Sequence, residues 1–127
     1  MEKSFLVLIL DDEFHLHEIW KKMIDKRIKI LHAYTIEQAE ELFKANQDKI
    51  DAMAIDACIQ SGFVPNTPTL VAKIRGTFEF KGPMIAISGN PDFGEKLKEV
   101  GCDHKSAKLD LPQMILKVLG LVQSPKP

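Results

Sequence analysis

Short apolar segments alternate along the chain with longer stretches in which apolar residues recur at helical spacing. A short, continuous apolar run is typical of a strand buried on both faces, as in a parallel sheet. The predicted strands are Phe5–Leu10 and Met84–Ile87, together with residues 28–31 and 50–55. The predicted helix faces are Leu16, Ile19 and Met23; Ile36, Ala39, Leu42 and Phe43; Leu70, Val71 and Ile74; Phe93, Leu97 and Val100; and Leu111, Ile115, Val118 and Leu119. This alternation predicts an α/β fold, with one parallel sheet and helices on both of its faces.

Polar residues, prolines and glycines mark where the predicted helices begin and end. Thr35 with Gln38 forms a capping box, in which each side chain bonds a backbone N–H at the start of the helix. Thr67 and Asn90 each precede a proline, which is favoured at the first helical position. Asp110 is a further predicted N-cap. The predicted helix ends lie at Gly76, Gly101 and Gly120.

The length of 127 residues predicts a single domain, which we assign to residues 1–122. Residues 123–127 are predicted to form a flexible tail. Residues 103–107 contain Asp, His, Lys and Ser, and this polar composition disfavours a strand. Propensity alone therefore predicts a loop for residues 103–107.

The charge and the apolar runs exclude some classes of partner. The chain has 17 Lys and Arg against 18 Asp and Glu. A nucleic-acid-binding surface usually needs a basic excess, so we expect no nucleic-acid partner. The longest apolar run, Phe5–Leu10, is too short for a membrane span or a secretory signal. We therefore expect a soluble, cytoplasmic protein, with Cys58 and Cys102 reduced because they lack metal-type spacing.

Polar side chains that follow the strands are the candidate functional residues, because parallel α/β sheets bind ligands beyond the carboxyl ends of their strands. The first and third strands are neighbours in a doubly wound sheet, so their ends would bring three aspartates into one cleft. The residues that follow the strands in chain order are Asp11, Asp12 and Glu13; Asp56; Ser88; and, after residues 103–107, Lys108.

Three carboxylates in one cleft need a compensating cation. Two unit charges about 4 Å apart repel by roughly 4 kcal/mol at an effective dielectric of about 20. Lys108 can offset one charge and Mg²⁺ can offset two, since Mg²⁺ binds through one or two carboxylates plus waters. Acids, a metal, a hydroxyl and a lysine together suit phosphoryl transfer, in which one carboxylate becomes an aspartyl phosphate.

Four sequence features, in their order along the chain, carry a family resemblance. They are the acidic pair Asp11-Asp12 after the first strand, Asp56 at the end of the third, Ser88 after the fourth, and Lys108. On the alternating pattern they resemble response-regulator receiver domains, the phosphoacceptor modules of two-component signalling, over residues 5–122. The resemblance implies a doubly wound, five-stranded parallel sheet of order 2-1-3-4-5 in a flavodoxin-like three-layer sandwich. It also implies that residues 103–107 form a short fifth strand.

The resemblance assigns the acceptor and the metal ligands. Asp56 would accept the phosphoryl group from a histidine kinase or a phosphotransfer protein. Asp12 and Asp56 would hold Mg²⁺ directly, together with the backbone carbonyl of Cys58, and Asp11 would act through a metal-bound water. The protein would not be an enzyme, although it would assist its own phosphorylation and dephosphorylation. It would be a stand-alone receiver that signals by contact with a downstream protein.

Lys108 and Ser88 complete the set of residues that the resemblance implies. Lys108 would pair with the phosphoryl group, and Ser88 would form a hydrogen bond to it and move when it arrives. The family's lysine is usually followed by proline, but here Leu109 follows. We predict a trans bond between Lys108 and Leu109, because a cis bond without proline costs roughly 2.5–4 kcal/mol.

Two departures from the family pattern affect the expected readout. The family usually has Pro four positions after the acceptor and Gly eight positions after it, where this chain has Gln60 and Val64. We therefore predict a rebuilt, longer loop at residues 57–66. Lys105 occupies the place of the family's switch aromatic, and a lysine is expected to stay in solvent. Phosphorylation should then act mainly on residues 88–90 and on the rebuilt loop.

Two other functions remain as alternatives. The chain could be a receiver-like interaction module that does not depend on phosphorylation, which the missing aromatic and the altered loop favour. A flavodoxin-like cofactor binder would need a phosphate loop after the first strand, where the acidic residues of this chain would repel a phosphate. His15 and His17 do not form a metal site in our interpretation, because residues two apart on a helix face different directions.

Overall fold

The computed structural model describes residues 3–60 and 64–121, in which five strands alternate with five helices. The strands are β1 Phe5–Leu10, β2 Ile28–Ala33, β3 Ala52–Asp56, β4 Met84–Ile87 and β5 His104–Ser106. The helices are α1 Phe14–Met23, α2 Ile36–Ala45, α3 Pro68–Gly76, α4 Pro91–Val100 and α5 Leu111–Val118, with a short 3₁₀ turn at Lys108–Asp110. The predicted tail at residues 123–127 lies outside the described residues.

The five strands form one parallel sheet in the order β2-β1-β3-β4-β5, which confirms the predicted topology. Alternate residues of the central strands point to opposite faces, so the sheet carries two separate apolar cores. Helices α2, α3 and α4 cover one face, where Phe43, Leu97 and Met53 are buried in one apolar core. Helices α1 and α5 cover the other face, where Trp20 and Ile115 are buried.

Strand pairing corrects two of the predicted strand boundaries. Strand β2 continues past Leu31 to Ala33, because it pairs with β1 along its whole length. Strand β3 begins at Ala52 and extends to Asp56, two residues later than predicted at its start. The predicted limits of β1 and β4 are confirmed.

Strand β5 exists because it has a partner. Its three residues pair with Ile85–Ile87 of β4, although their own propensity is low. The prediction of a loop from propensity alone was wrong, and the fifth strand implied by the resemblance is confirmed.

Several helix-terminus predictions need correction. Thr67 and Asp110 sit at N-cap positions, but neither side chain bonds the helix N-terminus. Thr35 caps α2, but the Gln38 side chain returns to the N–H of Tyr34 and not to that of Thr35. The side chain of Asn90 accepts from the N–H of Asp92, as predicted. Helix α3 ends at Gly76, as predicted. Met23 needs correction, since it is 55% exposed because α1 buries Leu16 and Trp20 instead.

None of the helices in residues 3–60 and 64–121 has the length and apolar character needed to cross a membrane. Cys58 and Cys102 are both free, as predicted, and Cys102 is buried.

Candidate functional site

The register of the sheet brings the candidate acids together. Leu10 of β1 lies beside Ile55 of β3, so the next residues on these strands, Asp11 and Asp56, meet at the carboxyl edge of the sheet. Asp56 in turn pairs with Ile87, which places Ser88 on the other side of Asp56. Polar residues that are far apart in the sequence therefore lie side by side at this edge.

Asp11, Asp12 and Asp56 each offer one carboxylate oxygen to a group in which all three oxygens lie within 4.8 Å of one another. Asp11 is fully buried, Asp56 is 5% exposed and Asp12 is half-buried. Backbone N–H groups orient two of these carboxylates: that of Glu13 donates to Asp11 Oδ1 at 2.8 Å, and that of Gln60 donates to Asp12 Oδ2 at 2.6 Å.

Lys108 neutralises part of this negative charge. Its Nζ lies 3.2 Å from Asp11 Oδ2, 3.2 Å from Asp56 Oδ2 and 2.9 Å from Glu13 Oε1. It donates hydrogen bonds to Glu13 and Asp56. The ion pair between Lys108 and Glu13 is a contact that the sequence analysis did not assign.

The acids of the cleft ionise abnormally because they are buried beside one another. Burial, reinforced by the charge of Asp11, raises the pKa of Asp56 to about 6 against the opposing effect of Lys108. Burial also raises the pKa of Asp11. Burial lowers the pKa of Lys108, but its bond to Glu13 and the charges of Asp56 and Asp11 outweigh this effect, so the pKa of Lys108 is raised.

Ser88 and Cys58 line the same open cleft, whose volume is about 460 Å³. The hydroxyl of Ser88 accepts a hydrogen bond from the N–H of Asn90 at 3.1 Å. Since this bond uses the hydroxyl as an acceptor, its own proton can be donated to a ligand. Cys58 is half-buried, and its N–H is a long 3.5 Å from Asp56 Oδ1.

The donor set fits a hard divalent cation. Asp11 Oδ2 is a buried oxygen with no hydrogen bond among the described residues, since its ion pair with Lys108 lacks hydrogen-bond geometry. The three carboxylate oxygens lie within 4.8 Å of one another, close enough for small side-chain adjustments to bring them to one ion. Carboxylate oxygens are also the ligands that Mg²⁺ prefers.

A histidine pair, of which His17 is buried and His32 half-buried, lies beside the site on α1 and β2. His17, which is fully buried, places Nε2 2.7 Å from the carbonyl of Asp11 and Nδ1 2.7 Å from Nδ1 of His32. A carbonyl can only accept, so His17 carries its proton on Nε2 and accepts from His32 at Nδ1. Helical spacing argues against a shared metal for His15 and His17, and the contact of His17 with His32 could not be predicted because 15 residues separate them.

Trp20 ties α1 to the segment that carries Lys108. Its indole Nε1 donates to the Lys108 carbonyl at 2.8 Å, and its ring is fully buried. All peptide bonds of the described residues are trans, including Lys108–Leu109, as predicted.

Lys105 is exposed, as predicted. Its Nζ lies 2.6 Å from Glu95 Oε2 in α4, and its aliphatic stem lies over Gly94, where an added Cβ would meet Lys105 Cδ at 3.0 Å. An ion pair therefore occupies the place that an aromatic side chain takes in the family that the sequence resembles.

Comparisons with known proteins identify the fold. No protein-family model matches the sequence, and no curated protein matches it. A chain in the crystal structure of the CheX–CheY–BeF₃–Mg²⁺ complex from Borrelia burgdorferi is 19% identical with a TM-score of 0.74, over 95% of this chain and 92% of that one. The receiver domain of the response regulator NarL from Mycobacterium tuberculosis is 17% identical with a TM-score of 0.75, over 94% and 99%. The receiver domain of Francisella response regulator 1452 is 20% identical with a TM-score of 0.70, over 93% and 96%.

These similarities show that the chain has the fold of response-regulator receiver domains. The match covers nearly the whole chain and includes the strand order 2-1-3-4-5. At identities of 20% or less in these three comparisons, the comparison identifies the fold, and the function must be argued from the site.

Proposed function

We propose that this chain is a phosphoacceptor module of a two-component phosphorelay, with Asp56 as the acceptor. The observation that carries the proposal is a buried carboxylate with a lysine Nζ 3.2 Å away and two further carboxylates close enough to share one metal ion. The receiver fold supports it, because the resemblance carried by the same residues implies this use of the site.

The proposed transfer makes one bond and breaks one. A carboxylate oxygen of Asp56 attacks phosphorus as the bond from phosphorus to the imidazole nitrogen of a histidine donor breaks, and the imidazole leaves with the electron pair. With a pKa of about 6, Asp56 is mostly ionised at neutral pH and can act as the nucleophile. Lys108 holds its charge beside the new phosphoryl oxygens, and Ser88 donates its hydroxyl proton to one of them.

Asp12, Asp56 and the carbonyl of Cys58 would hold Mg²⁺, with Asp11 acting through a bound water. When bound, the ion neutralises charge that develops on the phosphoryl oxygens. A structure of similar fold, the Borrelia burgdorferi complex, contains Mg²⁺ and BeF₃, which supports the proposal that this fold can work with Mg²⁺.

The phosphorylated chain would signal through protein contacts. Its partners would be a histidine kinase or phosphotransfer protein upstream and a further protein downstream, and it would not be an enzyme in the usual sense. Location in the cytoplasm, and the lack of nucleic-acid and membrane partners, stay predictions from the sequence. The net charge of −1 agrees with the lack of a nucleic-acid partner.

Intact-mass measurement after incubation with acetyl phosphate and Mg²⁺ tests the proposal. We expect the wild-type chain to gain the mass of one phosphoryl group and Asp56→Asn to gain none. Asp48→Asn, which changes an exposed aspartate at the opposite end of the sheet, is the matched control and should behave like the wild type. Failure of the wild-type chain to gain mass in the presence of Mg²⁺ would contradict the proposal.

The alternative is a receiver-like module that binds its partner without phosphorylation. The ion pair between Lys105 and Glu95 favours it, because a charged pair in solvent cannot perform the in-and-out rotation of a switch aromatic. The two functions separate in a partner pull-down with wild type and Asp56→Asn. Equal capture with and without acetyl phosphate would favour the alternative.

Removal of the Asp12 carboxylate is expected to weaken Mg²⁺ binding by about tenfold or more, since even indirect changes around a metal cost 10–100-fold, roughly. Asp12→Asn keeps the size of the side chain and an acceptor for the Gln60 N–H but loses the charge. Titration followed by the fluorescence of Trp20, the single tryptophan, measures the affinity. The control Asp48→Asn should leave it unchanged, and equal affinity in Asp12→Asn would show that this carboxylate is not a ligand.

Binding of beryllium fluoride with Mg²⁺ is expected to change amide exchange near residues 88–90 and at residues 57–60 and 64–66, and to leave β5 unchanged. The reason is that Ser88 and Lys108 can respond directly, while Lys105 is held in solvent by Glu95. Hydrogen exchange with mass spectrometry measures this. If beryllium fluoride changes the protection of β5 in the wild type but not in Lys105→Ala, Lys105 belongs to the switch.

A further inference from the structure

The segment between β3 and α3 is closed by the side chain of Asn66. Its Nδ2 donates to the carbonyl of Ile59 at 2.6 Å, and its Oδ1 accepts from the Ile59 N–H at 2.7 Å. Ile59 is only 3% exposed, so its backbone groups need partners within the protein. One planar side chain with a donor and an acceptor satisfies both, which an aspartate or an apolar residue cannot do.

Asn66 and Thr67 also bond the backbone at the end of β3. The N–H groups of Asn66 and Thr67 both donate to the carbonyl of Ala57, at 2.9 and 3.3 Å. The hydroxyl of Thr67, which is fully buried, lies 2.8 Å from the carbonyl of Asp56, to which it donates. Thr67, which was predicted to cap α3, therefore bonds the end of β3, where Asp56 lies.

Gln60, the next residue after Ile59, contacts one of the acids, Asp12. Its backbone is left-handed, with φ of 58°, a conformation that is uncommon and costly for a non-glycine residue. In this conformation its N–H donates to Asp12 Oδ2 at 2.6 Å. Residue 59, held by Asn66, directly precedes it, so a shift of Ile59 would move this donor.

We propose that Asn66 is a positioning residue for the acidic site. By holding both backbone groups of Ile59, it keeps Gln60 left-handed and thereby directs the Asp12 carboxylate toward the metal position. This inference deepens the proposed function and rests on it for the role of the metal. The contact lies within residues 57–66, the segment for which the sequence predicts a rebuilt loop.

Amide exchange of the full, metal-free chain tests the contact itself without any assumption about phosphorylation. We expect the Gln60 amide to be protected in the wild type and to lose protection in Asn66→Ala, while amides of β1 and β3 keep theirs. Retained protection of Gln60 in Asn66→Ala, with the fold intact, would overturn the inference.

Titration with Mg²⁺ alone tests the consequence for the site. Asn66→Ala is expected to weaken Mg²⁺ binding about tenfold, as for other groups that orient metal ligands. The control is Asn46→Ala, which also removes an asparagine side chain bonded to a backbone carbonyl, that of Leu42, but at the end of α2. Equal loss in Asn46→Ala, or no loss in Asn66→Ala, would contradict the positioning role.

A glycine rescue separates positioning from general destabilisation. Glycine adopts left-handed backbone without a steric cost and keeps the N–H, so Gln60→Gly should restore part of the Mg²⁺ affinity to Asn66→Ala. Lost affinity without any restoration would overturn the inference. If Asn66 behaves as expected and the wild-type chain takes no phosphoryl group, the proposed function fails and the positioning of the acids stands. The reverse result retains the phosphoacceptor and removes only the role of Asn66.

Discussion

Asp56→Asn is expected to stabilise the metal-free fold by about 3 kcal/mol at neutral pH. Burial and the neighbouring charge of Asp11 raise the pKa of Asp56 from 3.8 to about 6, so its charged form is costly in the folded state. A pKa difference of this size corresponds to about 3 kcal/mol. Asparagine has nearly the same shape but no charge, so the variant avoids the free-energy cost of burying a charged carboxylate.

The pH dependence follows from the direction of the shift. Because the folded state binds this proton more tightly than the unfolded state, the contribution of Asp56 to stability is full below 3.8 and declines as the pH rises through about 6. His32 acts in the opposite sense: burial, and then the charge of His17, lower its pKa from 6.5 to about 4, so stability is lost as the pH falls through this interval. The difference between wild type and Asp56→Asn at each pH cancels the contribution of His32.

Urea unfolding at several pH values, without and with Mg²⁺, measures this difference. We expect Asp56→Asn to gain little at about pH 4 and most above about pH 7. Saturating Mg²⁺ should reduce the advantage of the variant, because the ion stabilises only a fold that binds it. Asp48→Asn controls for the loss of one acidic group. A variant that is less stable than the wild type at neutral pH would show that the ion pair between Asp56 and Lys108 outweighs burial.

Trp20→Ala is expected to destabilise the fold by about 3–5 kcal/mol, the usual cost of truncating a large buried aromatic side chain. Trp20 is fully buried in the core beneath α1 and α5, and its indole N–H satisfies the carbonyl of Lys108. The variant therefore leaves both a cavity and an unpaired carbonyl beside the site.

Trp20→Phe separates these two effects, because it keeps most of the ring and removes the indole N–H. We expect it to cost less stability than Trp20→Ala, because it leaves the Lys108 carbonyl without its indole partner but creates a smaller cavity. Urea unfolding followed by far-ultraviolet circular dichroism suits both variants, since each removes the single tryptophan. Phe43→Ala, in the core on the other face of the sheet, is the matched control for loss of an aromatic side chain. A cost below about 1 kcal/mol for Trp20→Ala would contradict the prediction.

Elements with an uninterrupted apolar run could be predicted closely. The limits of β1 and β4 follow from their sequences, since both faces of these strands are covered and every residue must be apolar. The ends of β2 and β3 could not, because they are set by pairing with β1 and, for Asp56 at the end of β3, with Ile87 of β4. Strand β5 is the extreme case, since Lys105 and its neighbours become a strand only by bonding to β4.

The order of the polar residues along the chain was enough to predict which of them meet. Asp56 ends a strand of one parallel sheet, and Asp11, Asp12, Ser88 and Lys108 follow its other strands. Their places at the carboxyl edge therefore follow from the topology. The sequence by itself therefore determined the class of fold and the residues of the candidate site.

Only the tertiary structure decided how these residues are held. The bond from Gln60 to Asp12 joins segments 48 residues apart, that from Trp20 to Lys108 joins segments 88 apart, and Asn66 bonds Ile59 across its own loop. Such contacts depend on the direction of single side chains and on one left-handed backbone angle. Periodicity and spacing report which face of an element is apolar, and they contain no information about these directions, which arise when the packed elements leave each polar group one available partner.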